Sequence, residues 1–377
     1  MPLLRTVATA VVHLSHVDNP GTFALPYPDS AQSALDSMVL TCLLLKAEPP
    51  RSVPQLVDWC TLRTVDNWVF PIPPGVAPPG SHLVDPTTRQ PTQLCYEWAD
   101  SDDTGLRRTG EENMHAVAAI CREENCPEIY HAFRELLIKN PVLTGRELAT
   151  LAARGKGLEL LQQQIRAIYL PAPVHHMNSR IRTFTACGRC RFLLHRTLEG
   201  ALVCERDACR SQGPVRRGRE YGAEDSGGVF LLIRPLRQWV ASPGHVELHL
   251  AKSLESVRAK VQLWPSYGSY GLHIVLPEGR SWAVEIKDWS SGALLGRTAV
   301  LPPQDPPYDR CVWAVPRGRV RAHHSYRDEF FRHSTGAARS GPDLVSTDDL
   351  RRAVRTIVAG AGAPSRTEPP FAPEGLF

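Results

Sequence analysis

Two groups of residues in this chain have the types and spacing to do chemistry. The first is Cys187-Gly-Arg-Cys190 with Cys204-x4-Cys209, two cysteine turns separated by 13 residues. Four thiolates gathered this way make a tetrahedral set about 2.3 Å from a zinc ion, and four protein ligands leave no position open for water. Such a zinc is structural and holds a small domain together. Residues 191–203 read as two strands with a turn at Glu199 and Gly200, as a zinc ribbon requires between its knuckles. His195 falls mid-strand and is not expected to replace a cysteine, while Cys121 and Cys126 lack matching partners and read as ordinary buried thiols.

The second group is Trp282-Ala-Val-Glu285-Ile-Lys287-Asp288-Trp289. Two-residue alternation on a strand sends Glu285 and Lys287 out of the same face. A carboxylate there can ligate Mg²⁺, and a lysine beside it can polarise the water that attacks a phosphodiester. The segment VEIKDW resembles the second motif of the PD-(D/E)xK nucleases. That resemblance implies an aspartate on the preceding strand, where this chain carries Gly271. The helix before that strand offers Glu247 near its start as the preferred further ligand, and Glu255 next. The expected Mg²⁺ site is therefore Glu285, Glu247, a backbone carbonyl and water. It is weaker than a site with a third carboxylate, because this hard ion relies on anionic oxygens.

Residues 180–220 hold ten arginines against four acidic residues. Guanidinium binds phosphate in two-pronged fashion, so this density points to a nucleic-acid face, with Arg216, Arg217 and Arg219 as the candidate contacts. The chain as a whole is only mildly basic, at +4 and a pI near 8.5, which permits such a partner without requiring it.

The elements that must position these groups follow from periodicity. The 377 residues, 42% hydrophobic and 22% charged, are too many for one ordinary core and suit a globular multidomain chain. No apolar run reaches the roughly 18 residues of a membrane span. Residues 6–12 are apolar, but His13 and His16 follow them, so no signal peptide is read. The absence of a secretory signal and the metal-like cysteine spacing point to a reducing cytoplasm.

The fold class expected is multidomain α+β. Residues 1–172 form a helical domain, with amphipathic segments at 31–46 (Asp29 and Ser30 as candidate caps), 53–62, 114–124, 129–139 and 145–169, the last introduced by Thr144. Residues 71–91 are a Pro/Gly-rich loop and 171–180 a linker. The ribbon occupies 180–222. An α/β restriction-endonuclease-like domain with a mixed central sheet occupies 228–338, with strands at 230–233, 261–264, 272–276, 282–286 and 311–315 and helices at 246–260 and 326–332. Residues 360–377 are a Pro/Gly/Ala-rich tail expected to be disordered.

A helical region, a four-cysteine ribbon, a Glu-bearing helix, the strand approach WPSYGSYGL and then WAVEIKDW resembles, in that order, the restriction-endonuclease-like proteins encoded beside prokaryotic PIWI-RE proteins. The resemblance is strongest over residues 187–289. It implies an Mg²⁺-dependent endonuclease or nickase of a defence system, acting on DNA or an RNA–DNA heteroduplex with a PIWI-RE protein and a helicase as partners. Gly271 at the aspartate position opens a second reading, a catalytically inactive DNA-binding adaptor that recruits those partners. The pairs His175-His176 and His323-His324 lie on basic or proline-rich loops with no nucleophile beside them and are expected to be solvated.

Overall fold

The computed structural model describes residues 2–16, 25–73, 75–99, 106–154, 157–334 and 342–360. The N-terminal region is helical: α1 (Pro2–Ser15), α2 (Asp29–Leu44), α3 (Val53–Leu62), α4 (Gln93–Ala99), α5 (Leu106–Glu123) and α6 (Pro127–Lys139). The apolar run at 6–12 is the buried side of α1, with Val7, Ala8, Ala10, Val11 and Val12 all enclosed. Ser52 caps α3 by accepting the Gln55 N–H. Helix α2 begins one step earlier than its candidate caps require, because Pro28 holds the cap position and Asp29 becomes the first-turn acid that favours the positive end of the helix dipole. Cys121 and Cys126 are buried, and the Cys126 thiol points at the Cys121 carbonyl.

Strand β1 (Val142–Thr144) leads into α7 (Gly145–Arg154) through a reciprocal cap. The Thr144 Oγ1 accepts the Glu147 N–H at 3.2 Å, and the Glu147 carboxylate accepts the Thr144 N–H at 2.8 Å. The single helix expected over 145–169 is broken. Gly157 takes a φ of +82°, a 3-10 turn follows at Leu158–Leu161, and the chain resumes as α8 (Gln162–Ile168) and β2 (Tyr169–Pro171).

The ribbon region contains β3 (Met177–Asn178), β4 (Thr183–Cys187), the hairpin β5 (Leu194–Arg196) and β6 (Leu202–Cys204), the single turn α9 (Asp207–Arg210) and β7 (Arg217–Gly222). Gly200 makes the hairpin turn in the left-handed region, at φ +84°. Next comes β8 (Val229–Leu232), which corrects one expectation. It does not join the main sheet but lies between β1 and β2 in a separate three-stranded sheet.

The main sheet follows a short turn α10 (Arg234–Leu236) and helix α11 (Ser242–Glu255). Its elements are β9 (Lys260–Leu263), a turn α12 (Pro265–Gly268), β10 (Leu272–Val275), β11 (Ser281–Ile286), α13 (Gly292–Arg297), β12 (Arg310–Val315), α14 (Arg317–Ala322), α15 (Tyr326–His333), β13 (Asp343–Ser346) and α16 (Thr347–Gly360). The strand order is β13-β12-β11-β10-β9. The meander β9–β10–β11 is antiparallel, while β11, β12 and β13 run parallel, so the sheet is mixed. The sheet thus runs past residue 338 to β13, and α16 covers it. The tail expected to be disordered lies, after Gly360, outside the described residues.

Alternation along β11 gives the sheet two different faces. Trp282, Val284 and Ile286 pack with Leu250 and Leu254 of α11 and Val354 of α16. On the other side, Cys311, Trp313, Val315 and Leu344 join a core shared with α13, α15 and the N-terminal helices, which includes Trp59 and Trp98. Gly292 and Gly296 let α13 press against α15, since a Cβ at either would strike the carbonyl oxygens of Tyr326 and Phe330.

A buried polar network joins these parts just past β11. Arg319 of α14 donates to the Asp288 carboxylate at 2.9 Å, to Asp207 of α9 at 3.0 Å and to the Gln93 amide oxygen of α4 at 2.8 Å. Arg206 reaches Asp288 from its other side at 3.4 Å. Glu97, fully enclosed, accepts the backbone N–H groups of Ser290 at 2.6 Å and Ser291 at 3.2 Å. Burial pushes the Glu97 carboxyl up to about 7, even though Arg319 and the Ser290 N–H pull it down. A carboxyl whose proton is held more tightly in the fold than in the unfolded chain stabilises the fold at low pH, and that contribution is lost as pH rises through the folded value. Stability is therefore expected to fall from about pH 4.5 to about pH 7, with a slope of up to about 1.4 kcal/mol per pH unit from this group, and to level off above that. Urea titrations of wild type and Glu97→Gln across that range check it. The variant should lose this slope, and parallel curves would show that Glu97 does not titrate there.

Candidate functional site

The four ribbon cysteines converge as their spacing predicts. Strand β4 delivers Cys187 at its end, and a tight turn through Gly188 brings back Cys190. A Cβ at Gly188 would press on the Arg217 and Arg216 carbonyls at 3.0 and 3.2 Å, so this turn needs a glycine. The hairpin ends at Cys204, and α9 carries Cys209. All four are buried, with their sulfurs within 4.8 Å of one another, and Cys190 and Cys204 are 3.5 Å apart. Tetrahedral thiolates at a zinc ion stand about 3.8 Å from each other, so the set fits a metal ion such as zinc. The Arg189 N–H points at the Cys187 sulfur at 3.5 Å, and the Arg206 N–H at the Cys204 sulfur at 3.4 Å. Those donors supply the supporting shell that metal-bound thiolates use. His195 stays outside this set.

The second group is laid out by the main sheet. Glu285 lies near the end of β11 and Lys287 just past it, and the Lys287 ammonium lies 2.7 Å from the Glu285 carboxylate and 4.5 Å over the Trp313 ring. The register places Leu272 opposite Val284, so Gly271, one step earlier, faces the Glu285 position. A Cβ at 271 would lie 2.9 Å from Glu247 Oε1 and 3.0 Å from the Val284 carbonyl oxygen. The Glu247 carboxylate thus fills the space that a larger residue at 271 would take.

Glu247 is not free there. Its Oε2 accepts from Trp264 Nε1 at 2.6 Å and from Arg134 Nη2 at 3.1 Å. Arg134 also stands over the Trp264 ring at 5.1 Å. Both ends of this ion pair are shielded, with 12% and 6% of their side chains exposed. No ion pair or hydrogen bond joins Glu247 to Lys287 among the described residues. A Mg²⁺ site needs anionic oxygens converging on one point. Here one carboxylate is balanced by Arg134 and the other by Lys287, and 271 supplies none, so the residues present do not fit the ion.

Of the candidate nucleic-acid residues, Arg217 and Arg219 lie on β7, an edge strand of its sheet, and Arg216 directly precedes it. Arg216 and Arg217 are exposed and make no ion pair among the described residues. Arg219 is engaged: it bonds the Glu147 carboxylate at 2.6 Å and stacks over Tyr221 at 4.5 Å. Beside it, Lys139, Arg191, Arg219 and Tyr221 line a cleft of about 290 Å³ that reaches Cys187. Two of the paired histidines depart from expectation, while His175 and His324 are exposed. His176 is buried beneath His195, and His323 is also enclosed, because the loops that carry them fold down on the ribbon and on α15.

Residues 3–144 match the family described as pPIWI_RE three-gene island domain Y, and residues 244–362 match the one described as REase associating with pPIWI_RE. The chain is a restriction-endonuclease-like protein of PIWI-RE systems. No curated protein and no solved structure matches it. The REase-like match opens inside α11 and closes just beyond α16, so it takes in Glu247, Gly271, Glu285, Lys287 and the whole five-stranded sheet. Arg134, Gln93 and Glu97 belong to the domain Y match, and the four cysteines lie between the two. Sequence reasoning missed Arg134, whose partner is 113 residues away and whose helix looks ordinary.

Two outcomes follow. Purified protein should carry one equivalent of zinc on the cysteine set, and Cys187→Ser should lose both that metal and the ribbon's resistance to proteolysis, as read by elemental analysis and limited digestion. Gly271→Asp should cost about 1–3 kcal/mol by crowding Glu247 and setting a second carboxylate charge against it. Glu247→Gln in the same chain should recover part of that loss in thermal melts. If Gly271→Asp melts like wild type, the Glu247 side chain does not occupy that space.

Proposed function

We propose that this protein is a DNA-binding adaptor of a PIWI-RE system that keeps the nuclease architecture without its metal-dependent cutting. The observation that carries this reading is the Glu247–Arg134 ion pair. The carboxylate that a Cβ at 271 would meet has its charge cancelled by a guanidinium from the domain Y region. With Glu285 tied to Lys287 as well, nothing in this geometry gathers the negative charge that would hold Mg²⁺ against a phosphate. What remains is a sheet with a basic ribbon beside it.

Zinc in the cysteine set would act structurally, fixing β4, the hairpin and α9 so that β7 presents Arg216 and Arg217 to the phosphate backbone of DNA or of an RNA–DNA heteroduplex. Arg219 would serve as a phosphate contact only by exchanging Glu147 for the ligand. By family resemblance the proteins recruited are the PIWI-RE protein and the helicase of the same system, in the cytoplasm.

The test combines cutting and binding. Wild-type protein should not nick supercoiled DNA with Mg²⁺ or Mn²⁺, with or without those partners, yet should bind duplex with a steep salt dependence. Replacing Arg216 and Arg217 together by Ala should reduce the log–log salt slope by about 1.8, since each lost phosphate contact removes about 0.9. Nicking by wild type that Glu285→Ala abolishes would overturn the adaptor reading in favour of an endonuclease.

A further inference from the structure

Three histidines beside the ribbon, two of them buried, remain unexplained by the sheet, by the cysteine set and by nucleic-acid binding. His175 and His176 lie on the turn Val174–His176 that leads into the ribbon, and His195 lies in the middle of β5. Their rings stand 4.2–5.4 Å apart centre to centre, and one nitrogen from each falls within 4.8 Å of the others. We infer that His175, His176 and His195 form a second metal site, separate from the four cysteines, that takes a divalent transition-metal ion of the zinc or nickel class.

The hydrogen bonds give the buried rings the tautomers a metal needs. His176 Nδ1 is 3.2 Å from the Leu194 carbonyl oxygen, which can only accept, so Nδ1 carries the proton and Nε2 keeps its lone pair. His195 Nε2 is 3.5 Å from the Glu205 carboxylate, which puts the proton on Nε2. The other nitrogen, His195 Nδ1, is buried with no hydrogen-bond partner, in a residue only 8% exposed. A buried lone pair left unsatisfied costs about 1–3 kcal/mol, so its presence calls for a ligand. A ligating histidine whose second nitrogen is oriented by a carboxylate or a backbone carbonyl is the usual arrangement around a metal.

Glu205 is held in turn by Arg234 at 2.7 Å and Arg237 at 2.8 Å. The carboxylate that orients His195 is thereby fixed, and its charge offsets one of the two arginines beside it. Imidazole nitrogens suit zinc, nickel and copper and not magnesium or calcium, which fixes the class of ion. Because His175 is exposed, the fourth position faces solvent. A metal there would pin the turn at 174–176 to the ribbon hairpin.

The experiment uses the full chain. Protein stripped of weakly held metal by dialysis is titrated with Ni²⁺ and Zn²⁺ and analysed for bound metal per chain. Wild type should take up one equivalent beyond the one held by the cysteines. His175→Ala, a surface change, should weaken that uptake at least tenfold. His195→Asn should abolish it, and both variants should keep the first equivalent. Cobalt substitution separates the sites, because the cysteine set gives thiolate-to-metal charge-transfer absorption and the histidine set does not. A thermal melt of each variant with metal on the cysteines confirms that it is folded. Uptake of a single equivalent by wild type would overturn the proposal, as would a second equivalent that persists in folded His175→Ala and His195→Asn.

Discussion

The carboxylate of Asp288 is the point around which this molecule is arranged. It is almost fully enclosed, and burying a lone charge would cost several kcal/mol. Burial works to raise its carboxyl, but Arg319 and Arg206 outweigh that and hold it below its ordinary value. One guanidinium comes from α14 and the other from the ribbon, while Ser242 at the start of α11 adds a hydroxyl at 3.1 Å. Since Asp288 directly follows Lys287, its fixation also fixes the end of β11. The sheet, the ribbon and the N-terminal helices meet at this residue, the last through Gln93, whose side chain donates to the Asp288 carbonyl oxygen at 2.6 Å.

That arrangement explains why the candidate site is composite. The REase-like region supplies the strand, the glycine and the helix glutamate. The domain Y region supplies the arginine that neutralises the glutamate, and it shares an apolar core with the face of the sheet that carries Glu285. The N-terminal helices are therefore part of the environment that sets what the nuclease-like sheet can hold.

The parts of this legible in the sequence are those whose signal is local. Cysteine turns announce themselves by spacing. The β10–β11 hairpin shows two-residue alternation around a Pro-Glu-Gly-Arg turn, and Glu285 and Lys287 follow from that period. Other features depend on distant partners. Nothing near Glu247 says that Arg134 will reach it, nothing near Arg219 names Glu147, and Glu97 looks like one acid on a short helix until Ser290 and Ser291 bring their N–H groups. Phe230 and its neighbours read as a buried strand, which they are, but an apolar run of four does not say which sheet it will enter. The break at Gly157 was hidden because apolar periodicity continues on both sides of it.

The buried network has a consequence for the order in which the protein is made. Its members come from positions 93, 97, 206, 207, 242, 288, 290, 291 and 319, and the central arginine is the last of them to be synthesised. Until Arg319 arrives, Asp207, Asp288 and Gln93 lack their common donor, and the parallel strands β12 and β13 must also wait for distant pairings that are slow to close. The N-terminal helices thus spend most of synthesis with one side of their core unfilled. A chain cut short before α14 would lack the guanidinium that Asp207, Asp288 and Gln93 share, and would leave the Asp288 carboxylate with Arg206 as its guanidinium partner.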